Sequence, residues 1–260
     1  MHMNKVTVEQ IYRWLDQVAP FDNQEEFDNA GFQLGRLDAP VTGALLALDV
    51  TEEVVREAVE QKAELIITHH PLIFTPLKSL NLADHVPRVI ELLLKHDLSL
   101  ISAHTNMDQS PQYSASAEMA RRLGLLNVRK EGPYLFVGDL PQTKRADQLA
   151  ASIKTALDAS PRLYGAAHKE ISTLAVAGGA YSDGFVEARA AGAQAMLTGE
   201  VKHHHALEAT ASGMVIFDGG HYATEALMLP PLAFGLQKAM NQLEYSLQVY
   251  VSRCVSYQLQ

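Results

Sequence analysis

The strongest constraint on the fold is the stretch ELIITHHPLIF, Glu64 to Phe74, read with the residues just before it. Val54, Val55, Ala58 and Val59 recur at helical spacing, and Leu65, Ile66 and Ile67 then form a brief aliphatic run. A helical pattern followed by a short apolar run marks a βαβ unit, whose strands are buried in a parallel sheet. Pro71 forbids a helix starting at once and pushes His70 towards an extended conformation. His69 and His70 are therefore presented at the C-terminal edge of the sheet, where α/β folds usually place their chemistry. Adjacent side chains on an extended chain diverge, so two neighbouring ions, each taking one histidine, is a more natural geometry than one ion gripped by both. The competing reading is a polar pair in a turn, and so short a motif leaves both open.

The alternation continues along the chain. Thr7 to Gln10 fits a capping box for a helix carrying Ile11, Leu15 and Val18, which Pro20 ends. Val41 to Val50 reads as a strand, and Thr51 can cap the next helix, with Glu52 and Glu53 favourable to its dipole. A helix with Val89 and Leu92 to Leu94 precedes the strand Leu98 to Ser102, which runs into AHTNMD with His104 and Asp108. Gly124 stops a helix from Ser114 to Leu123. Residues 127 to 170 hold strand, helix and loop, clearest at Leu135 to Val137 and Leu149 to Leu157. The pattern resumes with the strand Thr173 to Ala177, a helix through Ala188, the strand Ala195 to Thr198, and then GEVKHHHALEA. The strand Met214 to Phe217 leads into DGGHYATEAL, and Tyr245 to Val255 alternates as a last strand. The loop DNAGFQLGR, Asp28 to Arg36, is either a cover over a site or plain turn chemistry, and its residue types favour the turn.

Length and charge bound the function. A chain of 260 residues makes one large domain or two ordinary ones, and 47% hydrophobic residues without low-complexity tracts is a soluble globular composition. The balance of 21 basic against 30 acidic residues, −9 overall, argues against broad nucleic-acid or membrane-surface binding. It leaves room for an anionic small molecule, because divalent metals invert the local field. No apolar run approaches the roughly 20 residues of a membrane span and no secretory signal is visible. Met1-His2 ahead of Met3 reads as a cloning remnant. The single cysteine, Cys254, suits a reducing cytoplasm and leaves any metal site to N and O ligands.

An internal repeat converges on one set of residues. Placing Thr68 on Thr198, an offset of 130 (198 − 68), puts Ala63 on Ala193, Ile66-Ile67 on Met196-Leu197 and Ala58 on Ala188. His104 then pairs with His221, an offset of 117 (221 − 104), and Asp108 with Glu225. Each half ends in H-x-x-x-[D/E], and on a helix residues at i and i+4 share a face, so His221 and Glu225 can reach one ion or an ion pair. His104 and Asp108 could do likewise, with His104 in a loop. Two related halves packed face to face would gather His69, His70, Asp108, His221 and Glu225, with His104, Glu200 and His203 to His205 nearby. Imidazole and carboxylate ligands suit Zn, Mn, Fe, Co or Ni without choosing among them. Five ligands are too many for a closed tetrahedral site and about right for two ions with open positions. His203 to His205 also read as a solvated helix start, and His85, His96 and His168 as surface residues.

At these residues the chain resembles the Nif3 family, whose bacterial members are named GTP cyclohydrolase 1 type 2 homologs. The similarity runs essentially from Val6 onward through DNAGFQLG, THHPLIF, SAHTNMD, TGEVKHH and GHYATEA. The resemblance implies an α/β fold of two intertwined three-layer repeats with mixed, mostly parallel sheets, and a toroidal homohexamer. It implies a dinuclear metal site at His69, His70, Asp108, His221 and Glu225, with Glu225 bridging and His104 beside the ions as acid/base. The expected domains are 3–126 with about 219–260, carrying most ligands, and about 127–218, the repeat pairing 41–126 with 171–250. The family name implies hydrolytic opening of the GTP purine ring, but DNAGFQLG lacks the Lys-Ser/Thr element of a P-loop. The function expected is a dinuclear-metal hydrolase acting on a small molecule, a nucleotide being the candidate. The alternatives are a metal-binding regulatory or metal-delivery protein without turnover, with His203 to His205 as transfer point, and a ring scaffold with a vestigial site.

Overall fold

In the computed structural model, which describes residues 5–255, the capping signals start the helices they predict. Met1 and His2 lie outside the described residues. Thr7 and Gln10 close a reciprocal capping box on the helix Val8–Val18, Thr7 N–H donating to Gln10 Oε1 at 2.9 Å and Gln10 N–H to Thr7 Oγ1 at 3.3 Å. Thr51 Oγ1 caps Glu52–Glu60 and Ser114 Oγ caps Ala115–Arg122, each satisfying an amide that has no partner within its helix.

The chain forms two compact units: one runs to Ser110 and resumes at Leu229, and the other is Pro111–Met228. The first is built on a five-stranded sheet. Gln248–Val251, Gly43–Ala47, Leu65–Thr68 and Ser99–Ser102 are parallel neighbours in that order, and Gly31–Leu34 is an antiparallel edge on Ser99–Ser102. Side chains alternate across a sheet. Leu45, Ala47, Ile66 and Leu100 pack with Val54, Val55 and Ala58 of Glu52–Glu60 and with Val89 and Leu93 of His85–Lys95. Their neighbours Ala44, Leu46, Leu65, Ile67 and Ile101 are equally buried, so both faces are covered. The sequence strand Val41 to Val50 resolves into Pro40–Val41, paired with Val6–Thr7, and Gly43–Ala47, while Tyr245 to Val255 contributes only Gln248–Val251.

The second unit carries a six-stranded sheet between two helical layers. On one face Phe136, Leu174, Val176, Leu197 and Phe217 pack with Met119 and Ala120 and with Leu149, Ile153 and Leu157 of Ala146–Leu157. On the other, Val137, Ala175, Met196 and Ile216 pack with Phe185 and Ala188 of Phe185–Ala190 and Ala209 of His203–Ala211. Parallel pairing holds among Glu170–Val176, Ala195–Thr198 and Val215–Asp218, and the other three pairings are antiparallel. "Mostly parallel" thus describes the first sheet better than the second. The expected domain joins lay at 126 and about 219. Met119, Ala120 and Leu227 belong to the core of the second unit, so its edges fall at Pro111 and Met228 and it includes the helix His221–Glu225.

The two sheets share one register. Ala44 pairs with Leu65 and Leu174 with Ala195, both shifted by 130 (174 − 44 and 195 − 65). Glu64 accepts hydrogen bonds from the Thr42 and Gly43 amides and the Thr42 hydroxyl. Gln194 Oε1 accepts the same three from Ser172 and Thr173. Each sheet also places an antiparallel edge strand beside the last strand of its parallel run, Gly31–Leu34 in one and Arg162–Tyr164 in the other. Among the described residues no helix is long and apolar enough to cross a membrane.

Candidate metal centre

The strand Leu65–Thr68 hands its histidines outward under tight control. The amides of His69 and His70 donate to Ala47 and Leu48 at 3.2 and 2.9 Å, extending the strand ladder past its last residue. Thr68 Oγ1 donates to the His70 carbonyl at 2.8 Å and meets Ser102 Oγ at 2.9 Å, tying this turn to the next strand end. That strand delivers His104, which stands just ahead of the short helix Thr105–Asp108. His69, His70 and His104 each offer one ligand atom within 4.8 Å of the others. Asp108 Oδ1 lies 3.6 Å from Nε2 of the fully buried His69.

A second donor set sits in the other unit. His221 and Glu225 occupy one helix face, His221 Nε2 lying 3.0 Å from Glu225 Oε2. Close backbone approach makes room for the carboxylate: a Cβ on Gly179, which has φ +61°, would fall 2.1 Å from Glu225 Oε1. Thr224 Oγ1 accepts from the Gly179 amide, fastening this helix to the same loop.

All four of these histidines are held through Nδ1. The partners are the Ala103 carbonyl for His69 at 2.9 Å, Asp49 for His70 at 2.7 Å, Asp28 for His104 at 2.8 Å and Glu200 for His221 at 2.8 Å. A carbonyl or carboxylate oxygen can only accept, so each Nδ1 carries the hydrogen and a neutral ring has Nε2 as its ligand atom. At His221, whose Nε2 also faces a carboxylate at 3.0 Å, either a second hydrogen or a bound cation must lie between the two. Metal-binding histidines have this outer-shell arrangement almost always. The donors are imidazole nitrogens and carboxylate oxygens without a thiol, a set that fits borderline divalent cations. These residues could hold metal.

Asp28 and Asp49, whose carboxylates hold two of these rings, are the site neighbours that the sequence did not single out. Asp28 lies in the loop read as plain turn chemistry, and its side chain is 0% exposed. Burial pushes its carboxyl up, but hydrogen bonds from His104 and from the Thr105 hydroxyl and amide outweigh that and bring it down to about 2. Asp49 sits with Thr51, His70, Pro71 and His85 around an open groove of roughly 360 Å³. His85 is exposed, as expected of a surface residue, yet it lines this groove; His96 and His168 are exposed. His203 and His204 are exposed at a helix start, and His205 bonds to Ser182 Oγ at 2.8 Å rather than to either donor set.

The family model described as Duf34/NIF3 (NGG1p interacting factor 3) matches residues 6–256. A Clostridium perfringens protein named GTP cyclohydrolase 1 type 2 homolog is 31% identical over 252 residues, 94% of this chain and 95% of that protein. A Campylobacter jejuni protein of the same name is 32% identical over 235 residues, 90% and 93% of the two. The crystal structure of a Staphylococcus aureus hypothetical protein has a TM-score of 0.94 at 28% identity over 99% of each chain. A Bacillus cereus protein related to NIF3 shares the fold, with a TM-score of 0.93 at 22% identity over 99% of each chain. The family model spans residues 6–256 and both named relatives exceed 30% identity over more than nine-tenths of their own length, and the chain belongs to the Duf34/NIF3 family.

Proposed function

We propose that the chain is a metal-dependent hydrolase holding two divalent ions, with His69, His70, Asp108, His221 and Glu225 as ligands and Glu225 bridging. The observation that carries this is the common Nδ1 anchoring of His69, His70 and His221, together with Asp108 Oδ1 at 3.6 Å from His69 Nε2 and Glu225 Oε2 at 3.0 Å from His221 Nε2. Bound divalent ions supply Lewis acidity and lower the pKa of water from about 15.7 towards roughly 7. The chain's own part is to fix ring orientation through Asp49, Glu200 and the Ala103 carbonyl, and to keep a proton acceptor in place at His104 Nε2.

The substrate class we assign is a purine nucleotide opened at C8, with His104 taking the proton of the incoming water. Support comes from the name that the relatives carry, GTP cyclohydrolase 1 type 2 homolog. The same reading carries a toroidal homohexamer in the cytoplasm. The test is incubation with GTP and related nucleotides after loading with Zn, Mn, Fe, Co or Ni, following ring opening by absorbance. Turnover that falls roughly 10²- to 10⁴-fold in His104→Gln, with metal content unchanged, is the expected result. No ring opening with any metal overturns the cyclohydrolase reading, and metal lost from His104→Gln would make His104 a ligand instead.

A further inference from the structure

Asp28 does more at His104 than close a loop. It approaches from 76 residues away in sequence, and both of its oxygens are engaged there. Oδ1 accepts from His104 Nδ1 at 2.8 Å, while Oδ2 accepts from the Thr105 amide at 3.0 Å and from the Thr105 hydroxyl. The Thr105 hydroxyl in turn accepts from the Glu25 amide at 3.0 Å, so residues 25 to 28 are drawn onto the start of the helix Thr105–Asp108. That helix has no cap from its own N-cap side chain, and the Asp28 carboxylate supplies one from outside. The loop is braced further by Gln24 Oε1, which accepts from Ala30 N–H at 2.8 Å, and by Gln33 Oε1, which accepts from the Ile73 amide at 3.1 Å.

We infer that Asp28 is a positioning residue, which fixes His104 in the Nδ1–H tautomer with its Nε2 lone pair turned to the reacting site and caps the turn that bears Asp108. The inference rests on the reading of His104 as the acid/base group. A loop anchor would need only any acceptor for Thr105. The extra content is the second oxygen, spent on imidazole Nδ1 inside a fully buried side chain, at a ring whose centroid lies 5.1 and 5.4 Å from those of His69 and His70. An ionised carboxylate has no hydrogen to give, so it forbids the opposite tautomer. An asparagine of the same shape does not: its oxygen can serve Thr105 while its NH₂ donates to Nδ1, which moves the ring hydrogen to Nε2.

The experiment is a long-range ¹H–¹⁵N correlation spectrum of histidine-labelled, full-length chain equilibrated with Zn²⁺, with His104 assigned by its absence in His104→Gln. Wild type should show His104 with a protonated Nδ1 and a pyridine-type Nε2, and Asp28→Asn should show the reverse. If a nucleotide is turned over, Asp28→Asn should lower kcat roughly 10- to 100-fold with KM kept. A wild-type His104 protonated at Nε2 overturns the inference, as does an Asp28→Asn tautomer unchanged from wild type. If Asp28→Asn does not fold, the wild-type spectrum alone decides. The spectrum needs no substrate, so failure of the hydrolase reading and failure of this inference are read separately.

Discussion

At the scale of single residues, the carboxylate of Asp28 has a signature in stability as well as in tautomer. Its carboxyl is held down at about 2 in the folded chain against an ordinary value near 3.9, so folding favours its charged form. The stabilisation is fully present above the ordinary value and is lost as pH falls towards 2. The linkage amounts to roughly 2 kcal/mol at neutral pH, about half of it gone by pH 3. Urea unfolding of wild type beside Asp28→Asn should therefore show a gap that narrows between pH 6 and pH 3, and a gap independent of pH would contradict this. Gly179 offers a second single-residue test. A methyl group there meets Glu225 Oε1 at 2.1 Å on a backbone of positive φ. Gly179→Ala should cost about 1–2 kcal/mol of backbone strain. Its larger effect should be to swing the flexible carboxylate aside, seen as a modest fall in melting temperature with a disproportionate loss of bound metal. Full metal retention would show that Glu225 is not confined by that loop.

At the scale of elements, the shared register of the two sheets rests on one repeated device. Glu64 and Gln194 each accept from two amides and a hydroxyl at the head of the preceding strand. Since an amide oxygen performs the task in the second sheet, Glu64→Gln should cost under about 1 kcal/mol. Glu64→Ala leaves two strand amides short of partners and should cost about 2–3 kcal/mol. Equal losses in both variants, measured by chemical denaturation, would mean that charge rather than acceptance matters.

What the sequence made legible follows from the same physics. The parallel strands read as brief aliphatic runs because both faces are buried, and His221 with Glu225 read as a pair because helix spacing is local. The strand Leu126–Glu131 was not legible, being exposed almost throughout and so carrying no burial pattern. The helix Leu229–Gln242 was hidden by Pro230, Pro231 and Gly235; the prolines fit because the first turn has no amide partners to lose. Asp28 and Asp49 escaped because their contacts close over 76 and 21 residues, and a D-N pair in a turn looks the same with or without a histidine waiting for it.

At the scale of the whole molecule, an acidic chain of net charge −9 is proposed to hold two dications, and that proposal stands or falls on stoichiometry. Two ions roughly 3.5–4 Å apart repel strongly, and a bridging carboxylate offsets much of that repulsion. Glu225 is the assigned bridge, buried with only 5% of its side chain exposed. Glu225→Gln keeps its size and removes its charge. The core strands take no part in the site, so the variant should fold and melt close to wild type. The measurement is elemental analysis of purified wild type and Glu225→Gln after equilibration with divalent metal. Two ions per chain in wild type, falling towards one or none in the variant, is the predicted result; two ions retained at full occupancy in Glu225→Gln, or fewer than one in wild type, would contradict it.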